Sequence, residues 1–327
     1  MTRTPLRWEV KAMRRPALRA DRLREYGIVA GFVVLFVALS LSTSTFLTSA
    51  NLVNVLDQSS IVGIIACGEA LCIIAGTFDL SVASIAALAG IFTVQLSNRL
   101  GVAPAVVLGV LAGSGLGFVN GIAVCYGRVN SFIATLASSI VMTGIATVVT
   151  NGQVVSTTHL SFSGLSEPTT LAQITVPTWM WLGVTVITGL LLYRTTFGRG
   201  IYAVGGNADA ARLSGLRTNG IRIAVFMISG ACAALAGIAL CSRTLSAEAT
   251  TGSGLQLTAI AAVVVGGTSI LGGEGAVWRA TLGVLILGVI GNGFDLLGIN
   301  STYQEVAQGG LILAAVMLDQ FLRRRRA

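Results

Sequence analysis

The sequence is poor in charged residues: aspartate, glutamate, lysine and arginine together make up 10% of its 327 residues, whereas 54% are hydrophobic. Ordinary soluble domains carry roughly 25% charged residues. A soluble protein of this length needs a charged shell, and this chain lacks the residues to build one. Lipid must therefore replace water over most of its surface, which indicates an all-α, polytopic membrane helix bundle.

Residues for catalysis are equally scarce. The chain has one histidine, His159, and one lysine, Lys11, and it contains no HExxH, no GxSxG and no phosphate-binding loop ending in Gly-Lys-Ser/Thr. These absences exclude a self-contained ATPase and argue against a membrane enzyme. The cysteines lie in or beside apolar runs and form no C-x-x-C. We therefore expect no disulfide framework, no metal site and no cofactor bound by this chain.

Ten stretches are apolar enough to cross a bilayer, which takes about 20 residues per helix, fewer where a helix is broken. The predicted spans are 27–46, 54–76, 79–97, 102–126, 131–150, 172–193, 222–242, 255–271, 275–293 and 303–322. Polar residues interrupt the ends of the third and eighth spans. The chain, 1–327, is predicted to form a single transmembrane domain, since its only sizeable polar internal stretch, 194–221, is too short for a second one.

Basic residues concentrate in three places: the N-terminal segment 1–26, the loop 194–221 and the tail 323–327. Cytoplasmic loops of membrane proteins carry an excess of lysine and arginine. With ten spans and a cytoplasmic N-terminus, all three places face the cytoplasm, and only Arg99 and Arg243 lie outside. The net charge of +8 therefore indicates membrane topology and attraction to anionic lipid, not a nucleic-acid surface.

The longest predicted external segment, 151–171, is rich in serine, threonine and glycine and contains His159 and Glu167. A soluble partner could dock on such a segment. A plain connecting loop explains the composition equally well, so both interpretations stay open.

Glycines recur every fourth residue in the fourth span, at Gly109, Gly113, Gly117 and Gly121. On a helix they form one bare stripe that lets another helix approach closely. Gly115 is expected to broaden the stripe. Packing within the chain or between subunits is the main interpretation, and a direct role in a substrate path is the alternative.

The pair Asn120-Gly121 near the end of the fourth span has a counterpart in Asn292-Gly293 at the end of the ninth. The two pairs fall on opposite sides of the membrane in the predicted topology, as an inverted repeat would require. The residues that follow match only with a two-residue gap, so chance is an equal explanation.

Acidic residues inside spans are costly and rare. Glu69 lies in the middle of the second span, and Asp79 follows in the stretch 76–81, where one helix is expected to end and another to begin. Two interpretations stay open. Asp79 or Thr77 could simply cap the new helix, or the break could lie beside a transport path.

The loop 194–221 contains the clearest local signal. Its stretch 207–213 predicts a short helix with Asn207 or Asp209 at its start and Gly215 at its end. Because spans flank this helix on the predicted cytoplasmic side, its form suits the docking of a partner.

Residues 195–215 resemble the coupling segment of the ribose-type permease family of ABC importers, whose usual form is T-x-F-G-R-x-x-Y-A-x-G-G-N-x-x-A-A-x-L-S-G. Stretch 76–81 is similar to the family's G-I-D-L-S signature, and 131–136 to its P-x-F-I-A-T-L run. Stretch 261–275 resembles its glycine motif around G-G-T-S. Asn292-Gly293 and 304–319 also fit, so the resemblance covers nearly the whole chain.

Three positions depart from the family pattern. Phe78 stands where a small aliphatic residue is usual, Asn130 replaces a common proline, and Glu274 replaces an arginine or lysine. The change at Phe78 could reshape a pathway, and the change at Glu274 could alter a cytoplasmic contact. Both leave the substrate open.

The resemblance implies an importer of the bacterial inner membrane. A periplasmic binding protein would deliver a monosaccharide or related small polyol, and two permease subunits, identical or related, would form the path. A separate cytoplasmic ATPase would bind ATP and drive the cycle. The residues expected to meet that ATPase are Arg199, Tyr202, Asn207, Arg212 and Leu213.

Polar side chains in and near the spans are the candidates for the substrate path, because sugar recognition needs groups that bond hydroxyls. They are Glu69, Thr77, Asp79, Asn120, Asn130 and Asn292. A branched-chain amino-acid permease of the same importer superfamily is the nearest alternative. A gradient-driven secondary transporter is a further one, and it would need no ATPase.

Overall fold

The computed structural model describes residues 16–169 and 173–300, together with scattered positions between 302 and 317. The α-helices in these ranges are α1 (Pro16–Ser42), α2 (Ser49–Ile74), α3 (Val82–Leu100), α4 (Val102–Gly127), α5 (Ser131–Thr150), α6 (Val176–Arg194), α7 (Thr196–Gly206), α8 (Ala208–Leu213), α9 (Thr218–Thr244), α10 (Leu255–Val265) and α11 (Val277–Leu296). Two short strands, β1 (Val155–Ser156) and β2 (Ser246–Ala247), pair antiparallel, and a 3-10 helix covers Leu160–Leu165.

Six of these helices are long and apolar enough to cross a membrane: α2, α4, α5, α6, α9 and α11. The predicted helical membrane bundle is thereby confirmed. Residues 1–15 of the basic N-terminal segment and the whole of the tail 323–327 lie outside the described residues. The tenth predicted span, 303–322, falls largely outside them as well.

The eighth predicted span, 255–271, is too long, because α10 ends at Val265. Gly266 and Gly267 follow, and Gly267 has a φ of +83°, a left-handed conformation that ends a helix. The loop 266–276 then leads into α11. The third predicted span begins too early, at 79, whereas α3 begins at Val82 because the residues before it form a turn.

The helices α2 and α9 form the centre of the bundle. α9 packs on α2, α3 and α4, while α2 packs on α9, α10, α11 and α6. The packing of α4 on α9 thus has a counterpart in the packing of α11 on α2. The packing of α3 on α9 has a counterpart in the packing of α10 on α2. An inverted repeat that relates α2–α4 to α9–α11 accounts for this pattern and for the Asn-Gly pairs of α4 and α11.

The glycine stripe of α4 packs against α9, which confirms the interpretation as packing within the chain. A Cβ added at Gly113 would lie 2.6 Å from the carbonyl oxygen of Gly230, and one at Gly117 would lie 2.1 Å from that of Phe226. The expectation for Gly115 is wrong. Within the part of the chain that the structure describes, no atom of another element lies within 4 Å of its added Cβ, since a residue two positions along a helix faces away from the stripe.

Loops gather at the two ends of the bundle. At one end β1 pairs with β2, Asn98 of α3 accepts a hydrogen bond from the backbone N–H of Thr158, and Arg243 pairs with Asp57 at 2.9 Å. At the other end, three chain segments contact one another: 74–76, 205–206 and 272–275.

Candidate substrate path and coupling segment

The chain breaks between α2 and α3, where residues 75–81 form a turn inside the bundle. Gly76 has a φ of +74°, and the backbone N–H and hydroxyl of Thr77 both donate to the carbonyl oxygen of Cys72, at 2.9 and 3.0 Å. Thr77 therefore closes the end of α2. Its expected role as a cap of α3 is wrong, since Ser81 occupies that position.

Asp79 organises the turn through its carboxylate. Oδ1 accepts from both the backbone N–H, at 3.1 Å, and the hydroxyl of Ser81, and Oδ2 accepts from the hydroxyl of Ser229 at 2.9 Å. The backbone N–H of Asp79 donates to Oε1 of Glu69 at 3.3 Å. Glu69 and Asp79 are both fully buried. The two acids thus tie the turn to α2 and α9.

The same hydrogen bonds continue into α4 and α5. The amide nitrogen of Asn120 donates to the hydroxyl of Ser81 at 2.7 Å, and the hydroxyl of Ser138 donates to Oδ1 of Asn120 at 2.6 Å. We call this set the carboxylate network. Its members are Glu69, Asp79, Ser81, Asn120, Ser138 and Ser229.

The start of α5 holds the backbone of the turn. The N–H of Phe78 donates to the hydroxyl of Ser131 at 3.1 Å, and the N–H of Leu80 donates to the hydroxyl of Thr135 at 3.0 Å. Buried backbone groups need such partners, because an unpaired one costs about 1–3 kcal/mol. The turn is therefore built into the bundle by side chains from its neighbours.

One carboxylate oxygen of Glu69 takes no part in these hydrogen bonds. Its Oε2 is buried and has no hydrogen-bond partner among the described residues. Buried polar groups are nearly always paired, so this unpaired carboxyl oxygen near the end of α2 is an exception that calls for an explanation. The network offers hydroxyl, amide and carboxyl groups, which are the kinds of groups that bond a hydroxylated solute.

Two further predicted path residues lie beside a separate pocket. Thr77 and Asn130 line a cavity of about 400 Å³ at the end of the bundle that holds the loop 128–130. Oδ1 of Asn130 accepts from the N–H of Phe132 at 2.9 Å, so the residue that replaces a common proline serves as the N-cap of α5.

Asn292 lies apart from the network. It exchanges two hydrogen bonds with Asn51, at 2.8 and 3.0 Å, and Asn51 begins α2 at the opposite end from Glu69. Both amides are buried. The structure therefore brings Glu69, Asp79 and Asn120 together, places Thr77 and Asn130 at the pocket, and leaves Asn292 in a pair of its own.

We expect Asn292→Ala to destabilise the chain by about 1–3 kcal/mol, because it leaves the amide of Asn51 buried without its partner. The double variant Asn51→Ala/Asn292→Ala should lose less than the sum of the two single losses, since the partners are removed together. Thermal unfolding of the purified chain in detergent measures all three. Strictly additive losses would contradict the pairing.

The coupling segment consists of two short helices. Oδ1 of Asn207 accepts from the N–H of Ala210 at 2.9 Å, which confirms the predicted cap of α8, and Gly215 follows its end with a φ of +86°. The helix α7 before it was not predicted. Four glycines lower its intrinsic helix propensity, and burial of Ile201 and Val204 compensates for this.

The residues expected to meet an ATPase differ in exposure. Arg199, Asn207 and Arg212 are exposed, and Leu213 is 86% exposed at the end of α8. Tyr202 instead points into the protein, where its hydroxyl donates to the carbonyl oxygen of Gly275 at 2.8 Å. Burial raises the pKa of the Tyr202 phenol above its ordinary value, so the hydroxyl keeps the proton that it donates.

Glycines bring the end of α7 into backbone contact with two other segments. A Cβ added at Gly205 would lie 1.7 Å from the carbonyl oxygen of Ile74 and 2.7 Å from the nitrogen of Gly273. The N–H of Gly273 donates to that same carbonyl at 2.9 Å. We call the contact of 74–76, 205–206 and 272–275 the glycine junction. It joins α7 to the end of α2 and to the loop before α11.

Sequence reasoning missed the serines of the network and the glycine junction. Ser81, Ser138 and Ser229 are small polar residues in apolar surroundings, and serine is common in membrane helices for packing alone. Each matters only because another helix brings a partner to it. A sequence signal existed for the junction, in the clustering of glycines at 205–206 and 272–275.

A bundle with six helices long and apolar enough to cross a membrane is a multi-pass membrane protein. Residues 51–316 match the family described as "Branched-chain amino acid transport system / permease component", and the chain belongs to this family. It is a permease subunit.

Similar proteins support the predicted resemblance. The chain is 39% identical to the ribose import permease protein RbsC of Escherichia coli K12, over 94% of this chain and 96% of that protein. It is 39% identical to the L-arabinose ABC transporter permease protein AraH of Azospirillum brasilense, over 92% and 88%. It is also 39% identical to RbsC of Bacillus subtilis 168, over 91% and 93%. No solved structure matches the chain.

Proposed function

We propose that the chain forms the translocation path of an ABC importer for a monosaccharide or related small polyol. The observation that carries the proposal is its 39% identity, over 91–94% of its length, to permeases named for ribose and L-arabinose. The family description names branched-chain amino acids, whereas these relatives are named for pentoses. A sugar is therefore favoured over an amino acid.

The proposed topology has ten spans, with both termini in the cytoplasm of a bacterial cell and the chain in its inner membrane. The grouping of loops supports it. Segments assigned to the outer side, such as β1 and β2, lie together at one end of the bundle. Segments assigned to the cytoplasm, such as 74–76 and 205–206, lie together at the other. Removing one of the spans that lie between these segments from the count would separate them.

The carboxylate network is the proposed centre of the path. Glu69, Asp79 and Asn120 would bond sugar hydroxyls there, with Thr77 and Asn130 nearer the cytoplasmic mouth. Asn292 of α11 remains a candidate only for the outer part of the path, where it pairs with Asn51 at the start of α2. A second permease subunit would complete the path, and the large apolar surface that α4 and α5 leave exposed suits that subunit or lipid.

A separate cytoplasmic ATPase is proposed to dock on α8. Leu213 offers an exposed apolar contact, and Arg199 and Arg212 offer positive charge to acidic groups of the partner. Tyr202 and the glycine junction would carry displacement of α7 to the end of α2, and so to the turn that holds Asp79. A periplasmic sugar-binding protein would deliver the substrate on the opposite face.

The docking proposal predicts the outcome of a co-purification in mild detergent. Wild type should retain an ATPase, and the double variant Arg199→Glu/Arg212→Glu should lose most of it, because reversed charges repel the acidic partner. Leu213→Asp should have a similar effect through loss of the apolar contact. The measurement is the ratio of ATPase to permease after affinity purification.

Matched controls lie on the other face. Leu160 is 76% exposed in the segment assigned to the outer side, and Arg99 is exposed there too. Leu160→Asp and Arg99→Glu should leave the ratio unchanged. If folded wild type retains no ATPase, the importer proposal fails and gradient-driven transport by the isolated chain becomes the leading alternative.

A further inference from the structure

The cavity at the end of α4 is lined by two arginines, and neither has an acidic partner among the described residues. Arg128 follows α4 and Arg222 lies in the first turns of α9. The described ion pairs involve Arg212 and Arg243 instead. Among the residues that line the cavity none is acidic, and Asn219 and Ser131 add further polar groups.

Arg222 is the residue of this cavity whose surroundings are the most unusual. Its Nε is buried without a hydrogen-bond partner among the described residues. Its Nη2 lies 4.0 Å from the position of a Cβ added at Gly76, so the guanidinium reaches the turn between α2 and α3. A cytoplasmic excess of arginine explains charge at a helix end, but it does not explain why an arginine that lines a polar cavity has a guanidinium nitrogen buried without a partner.

We infer that this cavity is a binding site for a phosphate-bearing anion. Guanidinium groups bind phosphate through paired N–H donors, and two arginines match a dianion in charge. The 20-residue helix α5 begins at the cavity, and the positive end of its dipole adds to the attraction. The volume of about 400 Å³ has room for a phosphate ester as well as for the free ion.

The ligand is either a soluble phosphate or the headgroup of an anionic phospholipid, since both present the same chemistry at the end of a membrane helix. In either case the ligand would lie against Thr77 and the Gly76 turn. It would therefore restrain the break in the helix that carries Asp79. This site acts on the turn from outside the carboxylate network and does not depend on which solute is transported.

Cys125 provides a reporter that needs neither transport nor an ATPase. It lines the cavity and is half-buried, whereas the other four cysteines are buried. The rate at which N-ethylmaleimide labels the full-length chain in detergent therefore reports access to the cavity. If ligand occupies the cavity in about 80% of the molecules, Cys125 is accessible to the reagent in only about a fifth of them. The labelling rate should therefore fall about fivefold.

Labelling is compared in inorganic phosphate and in sodium chloride of equal ionic strength, and in vesicles of phosphatidylglycerol and of phosphatidylcholine. We expect protection by phosphate or by phosphatidylglycerol, and its loss in Arg222→Gln. Arg128→Gln, at an exposed position, carries the test if Arg222→Gln does not fold. Arg99→Gln, on the opposite face, should keep full protection.

Protection by phosphate assigns a soluble ligand, and protection by phosphatidylglycerol alone assigns a lipid headgroup. Equal labelling under all conditions would overturn the inference, and so would protection that survives both arginine variants. Because no step of this assay involves sugar or ATP, failure here leaves the importer proposal untouched.

Discussion

Gly205→Ala is expected to destabilise the chain and abolish transport, while Gly206→Ala leaves both close to wild type. A Cβ at Gly205 would lie 1.7 Å from the carbonyl oxygen of Ile74, and backbone atoms cannot rotate away as a side chain does. At Gly206 no atom of the described residues outside the helix's own backbone lies within 4 Å of an added Cβ. Overpacking typically costs about 1–3 kcal/mol, and a backbone clash belongs at the upper end.

The two variants form a matched pair, because both replace glycine by alanine at adjacent positions of one helix and gain the same helix propensity. Thermal unfolding in detergent and sugar uptake by cells at equal membrane levels of protein are the two measurements. Equal behaviour of the two variants would show that the backbone contact of α7 with α2 is not needed for folding or transport.

Two of the helices that cross the bundle could be predicted from sequence almost to the residue, whereas α2, α6 and α9 differ from their predicted spans by up to five residues at one end. The predicted span 131–150 coincides with α5 (Ser131–Thr150), and 102–126 nearly coincides with α4 (Val102–Gly127). Length and apolar composition determine these helices, because the bilayer demands both. The same reasoning fails where glycines end a helix. α10 ends at Val265, six residues before its predicted end at 271.

The candidate site could be predicted only in part. Glu69 and Asp79 stand out because acids are rare in spans, and the structure shows that the backbone N–H of Asp79 donates to the carboxylate of Glu69. Ser229 does not stand out, since it lies 150 residues from Asp79 in the chain, and only the packing of α9 on α2 brings it there. Local patterns reveal which residues are unusual, whereas partners depend on helix contacts that no local pattern contains.

The glycine junction explains how a docking helix can act on a buried turn. The backbone of α7 at Gly205 lies against the carbonyl oxygen of Ile74 at the end of α2, and the hydroxyl of Tyr202 bonds α7 to the loop before α11. Contacts between backbones leave no side-chain rotation to absorb a displacement. Under the docking proposal, motion of α7 would therefore be expected to move α2 and the loop before α11 together, because the turn that holds Asp79 follows α2 directly.

The second large effect is expected from a substitution in that turn, at Asp79. Asp79→Ala should prevent stable folding or destabilise the chain by about 3 kcal/mol or more, because each buried group left unpaired costs about 1–3 kcal/mol. The groups concerned are the N–H and hydroxyl of Ser81 and the hydroxyl of Ser229. Asp79→Asn should lose much less, because an amide still offers an oxygen to Ser81 and its nitrogen can donate to Ser229.

Thermal unfolding of Asp79→Ala, Asp79→Asn and Ser229→Ala should give a graded series, with Ser229→Ala losing about 1 kcal/mol for one hydrogen bond. Asp295→Ala is the control, since this acid is exposed near the end of α11. A stable Asp79→Ala would show that the serines find other partners and that the carboxylate does not hold the turn. If Asp79→Asn folds but does not transport, the carboxylate has a part in the path beyond holding the turn, because the hydrogen bonds that position the turn are then preserved.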